Sequence, residues 1–174
     1  MKQFWKKHRT VIITMLLMIV IGTCMHFVCE LAGSENIRKI LGVVFPVNET
    51  SWEHMKMLWY PFLTAGIILS VIRKNKGCFG GFVIGGTIAM LTMLGLFSFY
   101  QSFTRTSVLA LDIPLFCLVI ILCVLLGLLL SEQEWCKKAL PFWIIWAGIV
   151  TAVIIYLTYQ PGPGYVFLDN SQLS

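Results

Sequence analysis

The chain has 174 residues, 58% of them hydrophobic and only 12% charged, with a mean hydropathy of +0.85. A soluble domain carries about 25% charged residues, so an ordinary water-soluble globule is excluded, and the length leaves room for a single domain, 1–174. The net charge of +5 does not indicate nucleic acid, because the basic residues sit in short clusters between apolar runs, a pattern of membrane topology.

A helix needs about 20 mostly apolar residues to cross a bilayer. Five segments qualify: about 10–32, 53–72, 79–100, 107–131 and 139–159. The spacing predicts an all-α integral membrane protein, a bundle of five transmembrane helices, with the lipid bilayer as its first partner. The first segment follows Lys2, Lys6, Lys7 and Arg9 and resembles a signal peptide in its opening half. Its apolar run is too long for one, and no small-x-small cleavage site follows, so it reads as a retained helix.

The outer loop, 33–52, is the longest stretch between spans. Ile37, Ile40, Leu41 and Val44 recur at helical spacing with Arg38 and Lys39 off their face, which predicts a short amphipathic helix on the outer surface. Thr50 and Glu53 have the spacing of a capping box at the start of the second span. Pro61 is expected to kink that span. The third opens with Gly80, Gly81, Gly85 and Gly86, small residues that let backbones approach closely in lipid. Packing within the chain is the first use for such a stripe, and a homo-oligomer through the Gly80–Gly86 helix is the second. An outer tail, 160–174, is too rich in Pro and Gly for helix. The six cysteines show no C-x-x-C pair and no framework spacing, so neither a disulfide scaffold nor a zinc ribbon is expected.

Orientation follows from the Lys and Arg of the short loops. With the N-terminus inside, nine fall on the cytoplasmic side (Lys2, Lys6, Lys7, Arg9, Arg73, Lys74, Lys76, Lys137, Lys138) and four outside (Arg38, Lys39, Lys56, Arg105). The expectation is N-terminus in, C-terminus out, in the cytoplasmic membrane of a bacterium.

Ionisable groups near or within a membrane are costly and point to function. His26 and Glu30 lie four apart, hence on one helix face. Glu49, Glu53 and His54 stand at the outer start of the second span, and Asp112 lies in the fourth, close to Pro114. Six rare polar groups thus gather at one depth. Two imidazoles among carboxylates suit a divalent metal, zinc, iron or manganese, with His26, Glu30 and His54 as the expected ligands. A metal-activated water would attack an ester, amide or phosphate, and Glu49 or Glu53 would serve as general base. Each group also has a plain structural role open to it: Glu53 as a cap, Glu49 answering the helix dipole, His26 paired with Glu30, and Asp112 satisfied by Thr106 or Ser107. Their common depth is what favours a shared site.

The stretches His26-Phe27-Val28-Cys29-Glu30 and Pro46-Val47-Asn48-Glu49-Thr50-Ser51-Trp52-Glu53-His54-Met55-Lys56 resemble a family of small bacterial integral membrane proteins of unknown function, with H-F-x-x-E and P-V-N-E-[ST]-x-W-E-H-x-K motifs. The resemblance runs over most of the chain. It implies that Asn48, Glu49, Trp52, Glu53, His54 and Lys56 act together, with Asn48, Trp52, Lys56 and Asp112 as ligand-binding candidates, and it supplies no activity. Three functions are consistent with these residues. A metal-dependent membrane hydrolase leads, a cation or solute transporter comes second, and a subunit binding a partner protein of unknown identity comes third.

Overall fold

A computed structural model describes residues 2–29, 31–32, 34–105 and 108–162. These form seven helices, α1 (Lys2–Val28), α2 (Glu35–Leu41), α3 (Lys56–Ile72), α4 (Gly77–Thr104), α5 (Leu109–Ser131), α6 (Glu134–Lys138) and α7 (Leu140–Tyr159), with a 3-10 turn, Glu53–Met55, leading into α3. No β-strand occurs among the described residues. Five of the helices are long and apolar enough to cross a membrane, spanning Arg9–Val28, Glu53–Ile72, Gly77–Thr104, Leu109–Ser131 and Leu140–Tyr159.

These spans match the five apolar runs, with shifted ends. The first stops at Val28 rather than near 32, because helical bonding there gives way to turns, Leu31 N–H reaching Phe27 O and Ala32 N–H reaching Cys29 O. The third runs on to Thr104: Gln101 faces inward and is buried, and Arg105 closes the helix in the left-handed region at φ 57°. The segment 132–138, expected as a break, contains the short α6. The amphipathic helix of the long loop is confined to α2, capped by the Ser34 hydroxyl, which accepts the Ile37 N–H at 3.4 Å. Its Lys39 pairs with Glu35 at 2.9 Å, and that hydrogen bond lowers the Glu35 carboxyl from its usual range. Pro61 lies inside α3.

α4 is the central helix and packs against α1's neighbours α3 and α5 along its length. In lipid no hydrophobic drive holds helices together, so backbone approach and side-chain fit must. The glycine stripe supplies the approach. A Cβ on Gly81 would stand 2.2 Å from Gly127 O of α5, one on Gly85 2.8 Å from Cys123 O, and one on Gly86 2.8 Å from the Phe62 Cβ of α3. The stripe therefore serves packing inside one chain. Trp59, Phe62, Phe82, Val83 and Val124 fill the core beside it, all fully buried.

Successive spans run in opposite directions. At one end Asn75, in the turn between α3 and α4, donates from Nδ2 to Ser131 O at the end of α5 and accepts the Gly77 N–H. The Trp143 indole of α7 donates to Cys136 O at this same end. At the opposite end the termini of α1, α4 and α5 meet the start of α3, and the Tyr159 hydroxyl of α7 donates to Lys39 O of α2. All six cysteines are free thiols.

Candidate metal site

The loop between α2 and α3 is held from beneath by a buried charge. Lys56 is completely buried at the start of α3. Its ammonium donates to Gly42 O at 2.6 Å, Phe45 O at 3.4 Å and Glu53 Oε2 at 2.6 Å, so its three protons meet three acceptors. Glu53 Oε2 also accepts the Val47 N–H at 3.0 Å. The anticipated capping box is half made: the Thr50 hydroxyl accepts the Glu53 N–H at 3.3 Å, while the Glu53 carboxylate reaches Val47 and Lys56 instead of Thr50 N–H. That amide donates to Asn48 Oδ1 at 3.2 Å, and the Thr50 hydroxyl donates to the same oxygen at 2.8 Å. Arg38 ties α2 to the loop through Val47 O at 3.0 Å. Every bond serves to fix residues 46–56 as one unit.

Glu49 stands between the pinned Asn48 and Thr50 with its side chain half exposed. One carboxylate oxygen lies 3.6 Å from His26 Nε2 at the end of α1, and the other lies 3.6 Å from His54 Nε2. One ligand atom from each of the three residues falls within 4.8 Å of the other two. The rings are neighbours, with centroids 5.2 Å apart. His54 Nδ1 is 2.7 Å from Thr50 O, a carbonyl that can only accept. Nδ1 therefore carries the proton, and in the neutral ring Nε2 turns a bare lone pair toward Glu49. A divalent metal ion between the ring nitrogens and the carboxylate would satisfy both. His26 Nδ1 is buried with no hydrogen-bond partner among the described residues.

The three groups form one wall of a cavity of about 320 Å³ between α1, α3, α4 and α5. Asp112, in the first turn of α5, lies on the cavity wall and accepts a hydrogen bond from the Tyr100 hydroxyl of α4. Gln101 is the other polar side chain there on α4, and the rest of the lining includes Met57, Met93, Phe97 and Phe116.

A family model described as a family of unknown function, DUF6512, matches residues 1–172. The chain belongs to that family. No curated protein and no solved structure matches it.

Within this member of DUF6512, the structure brings together His26, Glu49, His54 and Asp112 of the residues singled out by the sequence. Glu53 and Lys56 are turned away, each satisfied by the other, so neither is available to a ligand in the cavity. Asn48 closes the turn onto Thr50, and Trp52 packs half-buried against the core. Glu30, Thr106, Ser107 and the tail from 163 lie outside the described residues. Sequence reasoning missed two contributors. Thr50 orients His54 through its carbonyl, and the four-residue spacing of the two was the available signal. Gly22 admits α1 against α5 and α3: a Cβ there would stand 2.7 Å from the Phe116 ring and 2.8 Å from Met57 O. A lone glycine in an apolar helix carries no such message by itself.

Proposed function

We propose that His26, Glu49 and His54 hold a divalent metal, zinc first, and that the protein is a metal-dependent membrane hydrolase with this end facing away from the cytoplasm. The observation that carries the reading is that each Nε2 lies 3.6 Å from a different oxygen of one carboxylate, with one ligand atom from each residue within 4.8 Å of the others. Tetrahedral zinc with bonds of about 2.0–2.1 Å sets its ligands about 3.3–3.4 Å apart, and octahedral coordination would draw them closer. The His54 Nδ1–H to Thr50 O bond is the kind of outer contact that fixes a metal-binding imidazole. Three protein ligands leave a fourth position for substrate or water, as catalytic zinc sites do. An ion so held acidifies water and polarises a carbonyl or phosphoryl oxygen.

With Glu49 among the ligands and Glu53 bound to Lys56, Asp112 is the remaining acid on the cavity wall. It is the group placed to accept a proton, oriented by the Tyr100 hydroxyl. Transport draws less support, since the Thr14 and Thr87 hydroxyls, which a polar path through the bundle would need, are bonded back to Thr10 O and Val83 O of their own helices.

Elemental analysis of the detergent-purified protein tests the proposal. About one zinc per chain is expected in the wild type, with loss in His26→Ala, His54→Ala and Glu49→Ala variants. Wild-type protein purified without chelator and carrying no metal overturns it.

A further inference from the structure

The cavity is not closed on all sides, and part of its lining is apolar surface exposed on the outside of the bundle. Phe27 of α1 and Leu109 and Ile113 of α5 line it, yet they are 50%, 71% and 56% exposed on the outer surface of the bundle. Residues that belong both to a cavity wall and to a lipid-facing surface mark a lip. Beyond this lip α1 and α5 close on each other where Gly22 meets the Phe116 ring, so the opening is a lateral window with a floor. Inside it the wall changes character: Met93 and Phe97 are 1% and 7% exposed and apolar, while the histidines, Glu49, Asp112 and the buried Gln101 and Ser51 supply polar groups.

We infer that the substrate of this site is a membrane amphiphile that enters sideways between α1 and α5 from the adjacent leaflet. The inference rests on the hydrolase reading for the word substrate, but the pocket and its route stand on the window alone. The volume limits what goes in. About 320 Å³ is roughly ten water volumes of about 30 Å³ each, enough for a polar linkage and the first carbons of a chain, and too little for a whole diacyl lipid. The remainder must stay in the bilayer, and a window toward hydrocarbon allows that. A small water-soluble substrate would gain nothing from the Met93 and Phe97 wall and would have no need of a lateral lip. The arrangement places an ester or phosphoester linkage beside the three proposed ligands, with its chain against the apolar wall and out through the lip.

Photolabelling in proteoliposomes decides this, using a phosphatidylglycerol that carries a diazirine midway along one chain. Lipid outside the bundle cannot touch Met93 or Phe97, so adducts on them report entry. Such adducts are expected in the wild type, and Ile113→Trp, which bulks the lip, should lower them about tenfold. Labelling of the exposed Ile145 (63%) on α7 should not change. Thr23→Trp, on α1 where it also lines the cavity, should do the same. Adducts confined to surface residues such as Ile145, or interior adducts untouched by both lip variants, overturn the inference. Metal content measured on the same samples separates the two readings. Interior labelling in metal-free protein sinks the metal site and keeps the amphiphile pocket, while one zinc per chain without interior labelling does the reverse.

Discussion

At the scale of single residues, the decisive feature is how the loop 42–56 divides its charges. Lys56 and Glu53 are both buried and spend their polar atoms on each other and on backbone, while Glu49 is left half exposed to face two imidazoles. Removing one partner of a buried ion pair leaves an uncompensated charge and costs about 3–5 kcal/mol. Lys56→Met should therefore lower thermal stability in detergent sharply and loosen the loop, so that metal is lost along with fold. Glu49→Gln, at a half-exposed position, should leave the melting temperature of the metal-free protein nearly unchanged and remove metal alone. Equal loss of stability in both variants would contradict the division between the two glutamates. The sequence shows two acids and a histidine within a few residues here, but not which acid meets the lysine. That depends on Val47 N–H and Lys56 Nζ converging on one oxygen of Glu53.

At the scale of elements, α4 shows how local sequence becomes packing. Its glycines lie against backbone of α5 and side chains of α3 and α7: Gly81 against Gly127 O, Gly86 against Phe62 and Gly80 against the Trp143 ring. Backbone cannot move aside, so Gly81→Ala forces α4 and α5 apart, and overpacking of this kind costs about 1–3 kcal/mol. Gly95 on the same helix meets nothing within 4 Å. Gly95→Ala should stabilise the helix by about 0.5–1 kcal/mol, since alanine loses less backbone entropy. Opposite signs in thermal unfolding of the two variants are the expected result, and a loss in both would remove the distinction. The stripe itself was legible in the sequence. Which neighbours fill it was not, because a helix surface does not name the helix that covers it.

At the scale of the whole molecule, alternation of five spans puts the basic clusters Arg73, Lys74, Lys76 and Lys137, Lys138 at one end and the cavity at the other. The charge bias of the loops predicts that the basic end faces the cytoplasm. A Lys39→Cys variant, exposed on α2, should react with a membrane-impermeant maleimide in intact cells, and Lys76→Cys, in the turn before α4, only after permeabilisation. The reverse pattern would turn the cavity toward the cytoplasm and change which leaflet its window meets. α7 stands at the edge of the bundle, with Ile144, Ile145, Ile149 and Val153 exposed, as a helix solvated by lipid on most of its surface should be.

The number of spans, their approximate limits and the gathering of His26, Glu49, His54 and Asp112 toward one end follow from the sequence, because spans must be about 20 apolar residues long and short loops force neighbours to alternate. Tertiary structure decided the rest. It bound Glu53 to Lys56 and Val47 N–H and set Glu49 between His26 and His54, since a carboxylate's partner is set by distances of a few ångströms that sequence spacing does not fix. It made the cavity, since a void exists only where Gly22 and Phe116 let α1 and α5 touch at one level and part at the next. Periodicity can place a residue on a face, but only packing decides whether that face meets protein, lipid or the space between them.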